Sequence, residues 1–256
     1  MARRLGRRKR PLREKHMLVE QNKIDSGIFD DKTMIYLSKL YNKGVISKLN
    51  FITARGKEAD VYIAEAGLSV KDAKYVIVKF FRIETTSFLK MSDYLVGDTR
   101  FSKIKLTKYS IIKTWCRKEM GNLRIAAKAD VFAPKPYMSN GSILAMEFIG
   151  NDEGIPAPQL RNVVLQYPAQ FVEIVIDQIK KLYEANLVHA DLSEYNILVK
   201  DNKPYFIDFG QAVITKHPNA MLFLQRDVKN ILQYFSKIYK IEKDYRQTME
   251  YITELK

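Results

Sequence analysis

The chain has very little of several things. It has one cysteine, Cys116, so no internal disulfide can form and a reducing compartment is favoured. It has three histidines, His16, His189 and His217, too few and too scattered for a zinc site of known spacing. No apolar run approaches the length of a transmembrane helix. The cationic N-terminus is not followed by an apolar segment, which argues against a secretory signal, and its lack of serine weakens an organelle-transit reading. These absences predict a cytoplasmic protein. Hydrophobic residues at 46% and charged residues at 28% exclude a disordered or collagen-like chain.

Positive charge is abundant. The net charge is +14, and residues 1–16 carry half the excess, with eight Lys and Arg against Glu14 alone. The distribution predicts a moderately basic globule behind a flexible basic arm.

The 256 residues suggest one or two domains. Helical periodicity starts near Met34, with Leu37, Leu40 and Tyr41, and Gly44 ends it. Phe51–Ile52 and Val61–Ala64 read as two short strands around a polar loop, Thr53–Asp60, and Lys74–Phe81 as a buried strand. Residues 82–108 form a long polar excursion, expected to be mobile. A helix is predicted over Tyr109–Ala129, then an extended Pro134-Lys135-Pro136 segment, a strand over Ser142–Phe148 and a linker over Asn151–Pro158. An amphipathic helix follows over Ala169–Ala185. Two short strands, Ile197–Val199 and Tyr205–Ile207, flank an Asp201-Asn202 turn, and helices at Asn219–Ser236 and Tyr245–Leu255 close the chain. Strands first and helices second predict an α+β fold of two lobes with a cleft between them. The predicted division is an arm 1–16, an N-terminal lobe 17–146 with an extra leading helix, a hinge 147–150 and a C-terminal lobe 151–256.

The clearest chemical pattern is V-H-A-D-L-S-E-Y-N-I-L-V at 188–199 followed by F-I-D-F-G at 206–210. Asp191, Asn196 and Asp208 flank two short apolar runs. Phosphoryl transfer needs this set: a carboxylate to orient the attacking hydroxyl, and hard oxygen ligands for Mg²⁺. Asp191 fits the base, and Asn196 and Asp208 fit a shared metal. A lone D-x-x-x-x-N is ordinarily a surface turn, but the D-F-G at this spacing argues against that reading. His189 reads as a packing residue beneath the loop.

Lys79 stands inside V-I-V-K-F-F, and a buried ammonium needs an anionic partner. Glu119 on the following helix and phosphate oxygens are both candidates; a surface acid at position 119 would look similar. Gly56-Lys57, in A-R-G-K-E-A-D-V-Y at 54–62, lies where kinases carry a phosphate-covering glycine-rich loop. With a single glycine, a charged hairpin turn is an equal reading of that segment. Glu147 and Ile149, where a strand ends, stand where a hinge would meet an adenine edge, or simply mark a strand end.

Together these residues resemble the RIO family of atypical protein kinases, in particular its first subfamily and compact archaeal-type members. The strings that carry the likeness are G-K-E-A-D-V-Y at 56–62, V-H-A-D-L-S-E-Y-N at 188–196, I-D-F-G-Q-A-V at 207–213 and H-P-N-A-M-L-F-L-Q-R-D-V at 217–228. The likeness spans about residues 28–240. Arg82-Ile83-Glu84-Thr85 is similar to the start of the family's flexible loop over the active site. The resemblance implies a serine/threonine kinase using ATP and Mg²⁺, or Mn²⁺ in its place. Lys79 would bind ATP and pair with Glu119, Glu147 and Ile149 would hold adenine, and Gly56 and Lys57 would face the phosphates. Asp191 would be the proton acceptor, and Asn196 and Asp208 the metal ligands. It further implies that Asp208 can accept the phosphoryl group as an aspartyl phosphate. The protein would then act as an ATPase switch on small ribosomal subunit precursors. The charge of the basic arm suits docking on their RNA by phosphate neutralisation, with a merely solubilising tail as the alternative reading. Ala54-Arg55 departs from the hydroxyl pair usual before Gly-Lys-Glu.

The stretch after Gly210 is short and holds no A-P-E, so a truncated C-terminal lobe without a peptide-binding activation segment is expected. Two alternatives stand beside this reading. One is a small-molecule phosphotransferase of the antibiotic-modifying type, which shares the H-x-D-x-x-x-x-N logic. The other is a nucleotide-gated ribosome-precursor binding factor with little turnover.

Overall fold

The structure is a computed structural model, and it describes residues 30–82, 91, 94–101 and 107–254. The arm 1–16 and most of the 82–108 excursion lie outside the described residues.

Helix α1 spans Asp31–Asn42, capped by the Asp30 carboxylate, which accepts from the Thr33 N–H at 2.7 Å. Five antiparallel strands follow in the order β1-β2-β3-β5-β4: β1 Ile46–Arg55, β2 Ala59–Ala66, β3 Tyr75–Phe81, β4 Pro136–Asn140 and β5 Ile143–Glu147. Between β3 and β4 in sequence runs helix α2, Lys108–Lys128. The sheet and α1 enclose their own core, with Leu40, Tyr62, Val76, Phe80 and Ile143 essentially removed from solvent.

The rest is mostly helical. Helix α3, Pro168–Glu184, starts with proline at its first turn. Short strands β6 Leu187–Val188, β7 Ile197–Lys200, β8 Lys203–Phe206 and β9 Val213–Ile214 form two small ladders. Helices α4 Ala220–Tyr239 and α5 Tyr245–Thr253 close the fold. The β7–β8 hairpin turns on Asp201 and Asn202, both left-handed with φ of 51° and 58°, the twist a tight hairpin requires. The second core runs from Trp115 and Leu123 of α2 through Phe171 and Val175 of α3 to Phe206, Phe209 and Phe235. This is the α+β, two-lobed, kinase-like architecture expected from the order of elements.

One local expectation needs correction, and the sequence does not anticipate three strands, β4, β6 and β9. The loop placed over Thr53–Asp60 is mostly strand: β1 continues to Arg55 and β2 begins at Ala59, closed by a Gly56 N–H to Ala59 C=O bond of 2.9 Å. Thr53–Arg55 look loop-like because they line an open cavity rather than a core. The extended prolyl segment opens β4, a strand at the sheet edge that tolerates Pro136 because one side needs no ladder partner. Strands β6 and β9 are two residues each, too short to leave a periodic signal.

At the end of β2, Asp60 is fully buried and held bidentately by Arg82, at 2.7 and 2.5 Å. Removing the cation strands a buried carboxylate. Arg82→Met is expected to lower stability by about 3 kcal/mol in urea unfolding. Asp60→Asn combined with Arg82→Met should recover part of that loss.

Candidate active site

Lys79 sits mid-strand in β3, opposite Val61 on one side and Leu144 on the other. Its ammonium is buried and lies 2.9 Å from both Glu119 oxygens and 2.9 Å from Asp208 Oδ1. One side chain thus joins the sheet, helix α2 and the loop after β8. Burial alone would lower the Lys79 pKa, but the Asp208 and Glu119 charges outweigh it and push the value up. The ammonium in turn holds the Asp208 carboxyl below its usual range, against the opposing effect of burial. Burial pushes Glu119 upward, with Lys79 opposing.

Asp191 and Asn196 lie on the loop between β6 and β7. Asn196 Nδ2 donates to the Asp191 carbonyl at 2.8 Å and to its Oδ2 at 3.1 Å. The Asn196 N–H closes a turn on Ser193 C=O, and its own carbonyl accepts from Ile207 N–H, so the two predicted loops are stitched together. Burial and the neighbouring Asp208 charge raise the Asp191 pKa, as suits a group that accepts a proton.

A cavity of about 610 Å³ opens between the lobes over these residues. Its ceiling is Val61 and Ile77 of the sheet, its floor Leu198 and Ile207, and Met146 stands at the strand end. Glu147, Ile149, Gly56, Lys57, Lys79, Glu119, Asn196 and Asp208 all line it. Asp191 lines an adjoining groove with Tyr94, Trp115, Phe223 and Arg226. The Glu147 carboxylate is engaged by the Lys135 N–H at 3.0 Å, so its side chain fixes the strand end while its main chain borders the cavity. Gly56 and Lys57 are exposed at the cavity mouth. A slot with apolar faces, one deep cation and two carboxylates beside an amide oxygen fits a purine nucleotide triphosphate and its divalent metal.

Several residues that build the site carry no motif of their own. Lys118 is wholly buried beside Glu119 and donates to the carbonyls of Gly210 and Ala212 at 2.8 and 2.6 Å. Burial lowers its pKa to about 7. Asn122, one turn on, donates to the carbonyls of Phe209 and Ala212, at 2.9 and 2.8 Å. Gly210 is obligatory, since a Cβ there would lie 2.7 Å from Trp115 Nε1. On the other loop, buried Asp227 of α4 accepts from the N–H groups of Ala190 and Leu192 at 2.7 and 2.9 Å. Arg226 bonds the Ala190 carbonyl, and Asn230 the Leu192 carbonyl. Ala190 and Asp208 are both left-handed, with φ of 66° and 65°, at a cost on the order of 1 kcal/mol each. These contacts hold that strain. Polar residues at core positions of α2 and α4 were the available signal. Trp115, Lys118 and Asn122 recur at the helical spacing of a buried face.

His189 is the packing residue expected from its position. Nε2 lies 3.0 Å from the Ile207 carbonyl, and the ring packs edge-on against Phe209.

The fold and this site define a protein-kinase-like phosphotransferase. The RIO domain family model matches residues 60–248, and the chain belongs to that family of serine/threonine protein kinases. It is 39% identical to the RIO-type serine/threonine-protein kinase Rio1 of Methanocaldococcus jannaschii over 243 residues, covering 94% of this chain and 81% of the relative. It is 43% identical to Rio1 of Thermoplasma acidophilum over 184 residues, covering 72% and 96%. Among solved structures, the Rio2 kinase of Chaetomium thermophilum in its ADP/Mg²⁺-phosphoaspartate complex superposes with a TM-score of 0.64 at 19% identity, over 93% of this chain and 74% of that one.

Burial lowers the His189 pKa to about 4, from an ordinary 6.5. The unfolded chain therefore binds the proton first as pH falls, and stability drops between about pH 6.5 and 4. The full shift corresponds to about 3 kcal/mol. In His189→Gln, which keeps a donor for Ile207, this part of the acid destabilisation should vanish. Urea midpoints of both proteins across that window provide the check.

Proposed function

We propose that the chain is a Mg²⁺-ATP-dependent RIO-type kinase and ATPase. The observation that carries this reading is the single Lys79 ammonium, 2.9 Å from both Glu119 oxygens and from Asp208 at the back of the inter-lobe cavity. Adenine would lie between Val61 and Leu198 against the main chain of Glu147 and Ile149. Lys79 would turn from Asp208 to the α- and β-phosphates while Glu119 keeps it in place. Gly56 and Lys57 would cover the phosphates from above. Asn196 and Asp208 would hold the metal, which neutralises charge on the transferring group. Asp191, its pKa raised by burial, would accept the proton of an attacking hydroxyl.

Asp208 has a second role in this reading. Its carboxylate oxygen attacks the γ-phosphorus, the bond to the bridging oxygen of ADP breaks, and ADP leaves with the electron pair. Water then hydrolyses the acyl phosphate to inorganic phosphate and free Asp208. The phosphoaspartate captured in the Chaetomium thermophilum Rio2 complex supports this sequence of steps. The short connection from Gly210 to α4, which begins at Ala220, supports a switch over an enzyme that holds peptide substrates on its own shelf. In this reading ATP turnover times the release of the protein from small ribosomal subunit precursors, with the arm 1–16 on their RNA.

After incubation with labelled ATP, wild type is expected to carry a base-labile phosphate and to turn over ATP. Asp208→Ala should lose both, with turnover falling at least 100-fold, about 2.7 kcal/mol of barrier. Equal turnover in the two proteins would sink the reading. An acid-stable phosphoserine with no acyl phosphate would leave a kinase and remove the switch.

A further inference from the structure

Helix α2 shows three chemically different sides. Glu119 faces Lys79, Lys118 and Asn122 face the loop after Asp208, and the outer side is basic. Lys113, Arg117, Arg124 and Lys128 are all exposed there. At 3.6 residues per turn they fall within roughly 60° of arc, on a line about 22 Å long. The only acid in the helix is Glu119, and it is buried. No carboxylate within the helix neutralises the stripe. Helix α3, of similar length, shows the ordinary arrangement, with Glu173, Asp177 and Glu184 beside Lys180 and Lys181. Glu184 shares a shallow groove with Lys128 at the C-terminal end of α2, and Asp130 follows that end.

A second observation points to a ligand at the same place. Gly121 stands mid-helix beside this line, between Arg117 and Arg124. A Cβ at Gly121 would meet no described atom within 4 Å. Glycine there costs helix stability that alanine would not, and no neighbour among the described residues requires it. What glycine provides is close approach by something outside the chain.

We propose that the outer face of α2 seats the phosphate backbone of a double-helical RNA. Duplex nucleic acid places a charge about every 3.4 Å along each strand, so the line of four cations spans roughly six phosphates. Half-buried Gly121, with no side chain, lets the backbone ride close to the helix between two arginines. A lipid surface would need an apolar anchor beside the cations, and the one other exposed position between them is Ala127, with Gly121 half-buried. The contacts are to phosphates and carry no base readout. That the nucleic acid is RNA rests on the function proposed above; the phosphate-binding face itself does not.

Fluorescence anisotropy of a short labelled RNA duplex, titrated with the full chain over a series of KCl concentrations, tests this. Arg117→Gln with Arg124→Gln is expected to weaken binding about tenfold. It should also flatten the log–log salt slope by about 1.8, two phosphate contacts' worth. Gly121→Leu should weaken binding with no loss of thermal stability. Equal affinity and slope for wild type and the double variant would overturn the proposal. So would polyglutamate displacing the duplex as readily, charge for charge, as unlabelled RNA does, since the face would then be one for acidic protein. ATP turnover of the same samples is read separately. The double variant should keep it, and loss of turnover in wild type would strike the proposed enzyme and leave the RNA face standing.

Discussion

Everything in the cleft depends on one buried ammonium with two carboxylate partners. Lys79 comes from the sheet, Glu119 from α2 and Asp208 from the loop after β8. A cation in this setting is costly to bury, and two anions at 2.9 Å reverse the sign of that cost. The arrangement also leaves an excess of negative charge. Three charges meet where only one is positive, so a divalent cation or a second basic group improves the balance at Asp208. Burial, with the Asp208 charge added, raises the neighbouring Asp191, while the ammonium lowers Asp208. Proximity to the ammonium separates two acids that the sequence makes look alike.

The second constraint is backbone strain held by buried polar groups. Ala190 and Asp208 adopt left-handed conformations in the two loops that present the chemistry. Each loop is fastened from a helix behind it: the first by Arg226, Asp227 and Asn230 of α4, the second by Lys118 and Asn122 of α2. Hydrogen bonds from side chains to main chain suit this task, because they fix where a loop runs whatever side chains it carries. They also transmit position. A shift of α2 along its axis would move Glu119 against Lys79 and Lys118 against Gly210 together, so this helix governs both the cation and the loop that bears Asp208.

How much of this was legible follows from the same distinction. Lys79, Asp191, Asn196 and Asp208 stand out because their chemistry is unusual for their local setting: a lysine inside an apolar strand, and acids and an amide at fixed spacing between short apolar runs. The fold class follows from strands preceding helices. Lys118, Asn122 and Asp227 carry no motif, because their partners are main-chain atoms 35 to 94 residues away and main chain has no sequence signature. Their own positions held a clue, since polar residues at core spacing must be satisfied by something. Glu119 could be named only as a candidate, for a surface acid on a helix has the same appearance. The strands around Gly56 were read too short because the polar residues of β1 border a cavity, and alternation fades where one face meets open space.

The charge of the chain looks different once it is placed. A net charge of +14 first suggests a nucleic-acid-binding protein throughout. The cations paired inside the globule have a local purpose instead. Lys79 belongs to the cleft, Lys118 to the Gly210–Ala212 carbonyls and Arg82 to Asp60. Arg100 forks onto buried Asp98 and also reaches Asn122 at 2.9 Å. These cations are spent on internal anions and carbonyls, so they add little to the field outside. The outer face of α2 carries four exposed cations in line, Lys113, Arg117, Arg124 and Lys128, with no exposed acid of their own helix, as Arg226, Lys229 and Lys237 stand on α4. Long-range electrostatic attraction depends on such uncompensated charge rather than on the total, because paired charges cancel within a Debye length of about 8 Å at physiological salt. In the proposal made above, that uncompensated line is what an approaching polyanion meets. The opposite face of α2 carries the glutamate on which the cleft depends.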